Sequence, residues 1–409
     1  MKLNFFKNLK INLDVFKFTF LKYIEIAITS LITLIVAKEI GPLEMGKAIP
    51  VLLFVTYSNY LALGVNQALV KNYSRMKNRL EVLNFITINF QYLLLICVLT
   101  FVSAYFLLIQ KYFFFSALIS AGVLFKGFFM AYFRSINRIF VLNKNNIIFS
   151  LLFLLSVLIF VKNWYDYIIC WAICLWISNF IYFLDSKVFF LIIIKNIKSI
   201  PAKINILFNL KQGLKLATFG VISTILLTSD RIIVNKLDVS LELKGSYQLA
   251  DYVSMGFFML ITTISFYYTP VWISKIRVSA SFRKLFYKRF SMSLLFFPAL
   301  IGVIYLFSRI FVDLFFPEYD NLIIFIVLSS ILKILVSFIS LSSIIFMGLD
   351  KEIDFIKSMV PIVVLYVISI LLFLFVIQVK IYIIPLVLSF LLVVEFIRKM
   401  RYIKANLLH

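Results

Sequence analysis

The chain has 409 residues, of which 63% are hydrophobic and only 14% are charged. A soluble domain carries about 25% charged residues, so this composition excludes a water-soluble globular fold. The 41 Lys and Arg residues outnumber the 18 Asp and Glu residues, which in a soluble protein would indicate a nucleic-acid partner. In a chain this apolar we predict no nucleic-acid partner, and we interpret the basic residues as signals of membrane topology.

Apolar runs long enough to cross a membrane recur along the whole chain. A bilayer core is crossed by about 20 apolar residues, and the runs predict about twelve transmembrane helices, numbered here one to twelve. They cover approximately residues 16–37, 48–70, 83–109, 112–133, 147–161, 164–184, 212–235, 246–273, 290–312, 320–348, 355–378 and 380–397. The predicted fold class is therefore an all-α polytopic membrane protein with two six-helix bundles.

The longest predicted inner connection, 185–211, places lysines around an apolar stretch and is expected to lie partly on the membrane surface. It separates an amino-terminal bundle, 1–184, from a carboxy-terminal bundle, 212–409. Because each half has an even number of helices, the halves share one orientation and are predicted to be parallel repeats. Gly46 and Gly245, ahead of helices two and eight, fit such a repeat, with coincidence as the alternative.

The basic residues alternate from one side of the membrane to the other. About three quarters of the 41 Lys and Arg residues fall in the predicted inner loops and termini, as the positive-inside rule requires. Three of them, Lys126, Arg231 and Lys333, fall within helices. Both termini are predicted to be cytoplasmic, and the basic amino-terminal segment is expected to be uncleaved. Anionic membrane lipids are expected partners of the inner basic residues.

Cysteine and histidine usage argues against metal and redox chemistry. Cys97, Cys170 and Cys174 lie in apolar runs, and His409 is the single histidine. A structural zinc site needs four ligands, and no such set can be assembled. We predict no metal, no cofactor and no catalytic residue.

Several short motifs carry a family resemblance. The segments 40–46 (IGPLEMG) and 63–71 (LGVNQALVK), followed in the second half by 228–231 (TSDR), 245–247 (GSY) and Pro270, resemble the O-antigen flippases of the Wzx type. These belong to the polysaccharide-transporter branch of the multidrug, oligosaccharidyl-lipid and polysaccharide exporter superfamily.

The resemblance implies alternating access, in which two helical bundles carry a polyprenyl-diphosphate-linked oligosaccharide from the cytoplasmic to the outer leaflet. It implies a place in O-antigen and lipopolysaccharide biosynthesis in a bacterial inner membrane. The lipid-linked oligosaccharide would be the partner, together with the polymerase of the same pathway. The coupling ion, a proton or sodium, is left open.

Ionisable side chains deep in a membrane are costly and are candidates for function. Lys126 and Lys333 lie midway along helices four and ten, and Ser330 and Ser337 share the helix face of Lys333. This polar stripe favours a water-filled lumen in which the lysines bind the diphosphate. The alternative is helix packing, with Lys333 bound to backbone carbonyls or to a buried acid.

Further candidates for substrate binding are Arg231 near the outer end of helix seven and the amides of Asn84 and Gln91 in helix three. The amides suit sugar hydroxyls, although interhelical hydrogen bonds explain them equally well. Asp251 is the expected partner of Arg231 if Arg231 is structural. Asp230 projects about 100° away from Arg231 around the helix, which predicts that the two do not form one site.

Three acids lie within helices and are the candidates for ion coupling: Glu25, Asp230 and Asp251. For Glu25 the alternative is an ion pair with Lys22, three residues earlier on the same helix.

Two other functions compete with the flippase. A membrane polymerase or ligase acting on the same lipid-linked sugars would need a larger outer domain than the short outer loops provide. A drug or cation antiporter of the same superfamily would need an acidic cavity, and the two mid-helix lysines argue against it.

Overall fold

The computed structural model describes residues 2–66, 69, 79–108, 110–136, 138–186, 203–349, 351–375 and 380–407. These ranges contain α-helices and two short 3₁₀ helices, at Asn59–Ala62 and Leu294–Phe296. The α-helices are α1 (Lys2–Ser58), α2 (Arg79–Leu107), α3 (Gln110–Ser135), α4 (Ile139–Phe160), α5 (Trp164–Asp185), α6 (Lys203–Lys236), α7 (Leu241–Val278), α8 (Ala280–Ser293), α9 (Phe297–Phe315), α10 (Leu322–Gly348), α11 (Glu352–Phe375) and α12 (Ile383–Asn406).

Helix α1 contains the first predicted transmembrane helix, 16–37, and the first part of the second, 48–70, since α1 ends at Ser58 and a 3₁₀ turn follows at Asn59–Ala62. Helix α1 is broken only at Gly41, whose φ of 73° and ψ of 174° lie outside the helical region. Glycine adopts a positive φ at little cost, and Pro42 cannot donate a backbone hydrogen bond. The outer loop predicted between helices one and two is therefore reduced to a sharp break in one long helix.

The chain divides into two compact units. Unit 1 comprises Met1–Ile40 and Pro50–Thr218. Within it α3 is the central helix and packs against α2, α4 and α5. The core of unit 1 is rich in aromatic side chains, among them Phe90, Phe128 and Tyr182, and the Tyr182 ring stacks on the Phe129 ring at a centroid distance of 5.8 Å.

Unit 2 comprises Gly41–Ile49 and Phe219–His409. Its central helix is α10, which packs most extensively against α7 and also contacts α9, α11 and α12. Helices α3 and α10 are the fourth and tenth helices of the predicted topology. Each is the central helix of its unit and carries one of the two mid-helix lysines.

The predicted domain boundaries at 184 and 212 stay a prediction, because residues 187–202 of the linker lie outside the described residues. The predicted ninth helix, 290–312, is divided in the structure. Helix α8 ends at Ser293 and α9 begins at Phe297, with Pro298 in its first turn. Proline suits the first turn of a helix but interrupts a helix interior, so the start of a new helix here follows from Pro298.

Eight helices among the described residues are long and apolar enough to cross a membrane. The first of these spans, Phe20–Ala62, has 43 residues. That is about twice the length that one crossing needs, and the break at Gly41 divides it. The protein is a multi-pass membrane protein.

Candidate functional site

A cluster of buried charged side chains lies inside unit 2, where α6, α7 and α10 meet. Asp251 on α7 is paired with two cations. Its Oδ1 is 2.5 Å from Nζ of Lys333, and its Oδ2 is 3.3 Å from Nη1 of Arg231. All three side chains are buried, Lys333 completely. Asp251 therefore joins α10 to α6 through opposite charges.

Asp230 belongs to the same cluster. Its Oδ2 accepts a hydrogen bond of 2.7 Å from the Tyr247 hydroxyl, and its Oδ1 accepts one of 2.9 Å from the Arg231 backbone N–H. Lys333 and Asp251 also act on it electrostatically. This corrects the expectation that Asp230 and Arg231 lie in separate sites. The two side chains do diverge around α6, but both reach groups on α7, which the angle around one helix does not reveal.

The serine stripe of α10 makes one hydrogen bond to a neighbouring helix, through Ser330, and one within α10, through Ser337. The Ser330 hydroxyl donates to the Ser254 hydroxyl at 3.1 Å, and Ser254 also donates to the Ile326 carbonyl at 3.2 Å. Ser337 donates to the Lys333 carbonyl of its own helix. The Lys333 ammonium donates to the carbonyl of Leu227 on α6 at 2.9 Å. Of the two interpretations of Lys333, the structure contains the contacts described by the second, a buried acid and a backbone carbonyl.

The cluster holds two cations and two carboxylates, so its formal charge is zero. Burying an unpaired ion costs several kcal/mol in a protein interior, and pairing is what offsets this cost. Removing one partner would leave an uncompensated charge among the helices. This explains why cations on α6 and α10 occur together with acids on α6 and α7.

A second polar cluster lies in unit 1, between α1, α4 and α5. Nζ of Lys22 is 2.8 Å from Oε2 of Glu25, which confirms the intrahelical ion pair. Asn146 on α4 donates to the same carboxylate oxygen at 3.4 Å. The Tyr182 hydroxyl on α5 donates in turn to the Asn146 side-chain carbonyl at 3.1 Å. Glu25 is thus held by a cation and an amide from two helices.

Lys126 lies near the middle of α3, beside this cluster. Its ammonium is 4.2 Å from the centre of the Phe149 ring, a cation–π contact. Glu25 and Lys22 act on it electrostatically. Within the part of the chain that the structure describes, Lys126 makes no ion pair within 4.0 Å of an acidic group. Its environment therefore differs from that of Lys333, whose charge is matched by Asp251.

The amides predicted on helix three are placed on α2. Gln91 is half-buried and Thr87 is buried. Asn84 belongs to the same helix, but its side chain lies outside the described residues.

Asn146, Tyr182 and Phe149 were not among the sequence-based candidates. The signal for Asn146 was present in the sequence, because two asparagines and a lysine precede it at the start of a predicted membrane helix. Tyr182 and Phe149 are aromatic residues in aromatic-rich helices, and nothing in the sequence separates them from ordinary core residues. Among the described residues, no group of three or more His, Cys, Asp and Glu side chains could hold a metal ion.

Comparisons of the sequence with known proteins give no assignment: no family model matches it, and no curated protein matches it. Solved structures do align with it over almost its whole length. An inward-facing multidrug resistance MATE family transporter of the MOP superfamily has a TM-score of 0.69 at 14% identity, with 92% of this chain and 94% of that chain covered.

An outward-facing MATE family transporter of the MOP superfamily aligns with a TM-score of 0.65 at 13% identity, covering 96% of this chain and 95% of that chain. A MOP superfamily transporter from Pyrococcus furiosus, described as having a binding pocket of reverse polarity that suggests a different function, has a TM-score of 0.62 at 14% identity and the same coverage. The predicted fold class is confirmed: the chain has the all-α polytopic fold of the MATE transporters, whose twelve helices form two repeats.

Proposed function

We propose that this protein is a transporter that carries a polyprenyl-diphosphate-linked oligosaccharide from the cytoplasmic to the outer leaflet by alternating access. The fold it shares with transporters described as inward-facing and outward-facing supports transport by exchange between two such states. The sequence motifs that resemble the O-antigen flippases support the class of substrate. We place it in a bacterial inner membrane, with both termini cytoplasmic, beside the polymerase of the same pathway.

The choice of substrate rests on the position of Lys126, whose ammonium lies near the middle of a membrane helix against the Phe149 ring. An ammonium near the middle of a membrane helix is costly there, and the aromatic ring of Phe149 offsets this cost only in part. A diphosphate offers oxygens that accept charge-assisted hydrogen bonds from such a group. We therefore assign the first contact with the diphosphate to Lys126.

Lys333 and Arg231 have a different role in this proposal. Both cations are bound to Asp251, and with Asp230 they form a cluster of zero formal charge, so they reach an anionic substrate only after the Asp251 carboxylate is released. Ser330 joins the helix that carries Lys333 to α7, and Ser337 bonds to the Lys333 carbonyl within that helix. Gln91 and Asn84 are the proposed contacts for sugar hydroxyls.

We propose Asp230 as the carboxylate that binds the coupling ion. Asp251 has two cationic partners and Glu25 has one, whereas Asp230 is held by a hydroxyl and a backbone N–H. A carboxylate held in this way can take up a proton or a sodium ion without first breaking an ion pair.

Two other functions remain to be distinguished from the flippase, and each would give a different result in the deletion experiment described below. A drug or cation antiporter agrees with the descriptions of the MATE transporters, and a polymerase or ligase would use the same lipid-linked sugars. The transporter from Pyrococcus furiosus, with its pocket of reverse polarity, is a precedent within this fold for a departure from drug binding. We propose no enzymatic reaction for this chain.

The deciding experiment is deletion of the gene, followed by measurement of where the lipid-linked oligosaccharide accumulates. Complete units should collect on the cytoplasmic leaflet, protected from a glycan-cleaving enzyme that cannot enter intact cells. Units exposed on the outer side but not polymerised would indicate the polymerase. Unchanged units together with a new drug sensitivity would indicate the antiporter.

A further inference from the structure

Helix α8 has two contrasting faces. Phe282, Phe286 and Phe290 follow one another at intervals of four residues and point into unit 2. The Phe286 ring contacts the Trp272 ring of α7 at a centroid distance of 5.4 Å, and the Phe290 ring contacts the Phe396 ring of α12 at 5.6 Å. This aromatic face fixes α8 against the two neighbouring helices.

Polar contacts fix α8 along its length as well. Nη1 of Arg283 donates to the Leu407 carbonyl at 3.1 Å, and the Tyr287 hydroxyl donates to the Met400 carbonyl at 3.3 Å. Since later residues of α8 meet earlier residues of α12, the two segments run antiparallel. These contacts fix which face of α8 packs against α7 and α12. The opposite face therefore points away from the rest of unit 2.

That opposite face is basic. Lys284, Lys288 and Arg289 are exposed, and within the described parts of the chain none of them forms an ion pair with an acid. The whole of α8 contains no Asp or Glu. Leu285 and Met292, which are 43% and 48% exposed, lie between these cations around the helix.

Exposed basic residues also lie at the ends of the helices that α8 packs against: Lys275 and Arg277 at the end of α7, and Arg401 and Lys404 at the end of α12. These helix ends belong to the predicted inner loops and terminus, where the sequence concentrates its Lys and Arg residues. The surface thus combines several cations with apolar side chains at the expected level of the inner headgroups.

We propose that this face of α8 is a binding site for anionic phospholipid headgroups of the inner leaflet. Long basic side chains direct their charges toward phosphates while apolar neighbours contact the acyl chains, and this combination is typical of helices at a membrane interface. Exposed Leu285 and Met292 between the cations favour a lipid surface over an acidic soluble protein. The proposal does not depend on which substrate the protein carries.

The test measures lipid selectivity directly. The full chain, purified in a neutral detergent, is mixed with equal amounts of phosphatidylglycerol and phosphatidylcholine with identical acyl chains, and the bound lipids are quantified after gel filtration. Phosphatidylglycerol should be enriched on the wild-type protein. The triple substitution Lys284→Gln, Lys288→Gln and Arg289→Gln should lower the ratio of bound phosphatidylglycerol to phosphatidylcholine about tenfold, since each basic residue near the surface adds to the attraction.

A matched control removes three exposed lysines on the predicted outer side: Lys38→Gln, Lys162→Gln and Lys236→Gln. This variant should keep the wild-type ratio. A second variant, Lys284→Arg with Lys288→Arg, should also keep it. The proposal is overturned if the α8 triple variant keeps its selectivity, or if the control loses as much.

Salt provides a measurement that needs no variant. At 1 M salt the Debye length falls to about 3 Å from about 10 Å at 0.1 M, so the wild-type preference for phosphatidylglycerol should disappear while total bound phosphatidylcholine stays constant. A preference that survives 1 M salt would contradict an electrostatic headgroup site. Equal binding of the two lipids at 0.1 M salt would also reject the proposal and would leave an acidic protein as the partner to examine.

Discussion

Gly46 and Gly245 occupy equivalent positions in two segments of unit 2 that cross each other. A Cβ on Gly46 would overlap the carbonyl oxygen of Leu241, and a Cβ on Gly245 would overlap that of Pro42. In each segment the glycine follows the contacted carbonyl by four residues. The contact is therefore reciprocal, as expected for two copies of one motif related by a two-fold operation.

We expect Gly46→Ala and Gly245→Ala each to lower the stability of the protein by about 1–3 kcal/mol, the usual cost of forcing extra atoms into a packed region. Thermal unfolding of the purified protein in detergent would measure it. Gly256→Ala is the control, because it lies in α7 with Gly245 and no atom is within 4 Å of its added Cβ. Equal stability of all three variants would contradict the close crossing.

Substitutions in the buried cluster of Asp251, Lys333, Arg231 and Asp230 should have strongly non-additive effects on the free energy of unfolding. Asp251→Asn alone leaves Lys333 and Arg231 buried without their carboxylate, which should cost about 3–5 kcal/mol. Lys333→Met alone should also be costly, whereas the double variant should recover much of the loss. The free energies of unfolding of the wild type, both single variants and the double variant form the cycle that measures this.

For comparison, Lys144→Met breaks the partly exposed pair of Lys144 with Asp185, whose closest atoms are 3.6 Å apart. Exposed pairs contribute at most about 1 kcal/mol, so this variant should be nearly neutral.

Transport by the Lys333 variants is measured on the same membranes as the amount of folded protein. If Lys333 is purely structural, Lys333→Ala lowers folded protein but not flipping per folded molecule.

Lys126→Ala should reduce flipping per folded molecule at least about tenfold, since a hydrogen bond to a charged group contributes about 1.5–3 kcal/mol and about 1.4 kcal/mol is a factor of ten. Lys126→Arg keeps the charge and should keep much of the activity. Lys111→Ala, on the same helix and also over aromatic rings, is the control. Normal flipping by Lys126→Ala would exclude it from the binding site.

Asp230→Asn should uncouple transport from the ion gradient. The cluster then carries one uncompensated positive charge, so the variant should also be less stable than the wild type, but less so than Asp251→Asn, because an amide oxygen can still accept the hydrogen bond from Tyr247. Flipping is therefore measured per folded molecule. In reconstituted vesicles, an imposed proton or sodium gradient should speed flipping by the wild type and leave the variant unaffected. Asp238→Asn, an exposed acid just after α6, should respond like the wild type. A normal gradient response of Asp230→Asn would transfer the coupling role to Glu25 or Asp251.

The predicted topology places Ser281 inside and Lys162 outside. A cysteine at Lys162 should react in intact cells with a thiol reagent that cannot cross membranes, and one at Ser281 should react only after the membrane is opened. Both positions are exposed, while Cys97, Cys170 and Cys174 are buried and give little background. Labelling of the Ser281 cysteine from outside would invalidate the topology and the inner-leaflet site on α8.

The sequence by itself determined the fold class and the importance of the charged residues. Long apolar runs can only be membrane helices, because a bilayer provides no water to satisfy an irregular backbone. For the same reason Lys126 and Lys333 stood out from the other basic residues. Lys22 and Glu25 could be paired from spacing alone, since residues three apart lie on one side of a helix.

Only the tertiary structure decided which partner each charge has. Lys333 meets Asp251 across 82 positions of sequence, and Tyr247 reaches Asp230 from the next helix. The packing of α10 against α6 and α7 sets these contacts, and no periodicity along one helix encodes them. The role of the serine stripe could not be decided from the sequence either, because hydroxyls that line a lumen and hydroxyls that join two helices have the same spacing. Lys126 and Lys333 look alike in the sequence. The structure separates them, because among the residues it describes Lys333 has a carboxylate at its ammonium and Lys126 has none.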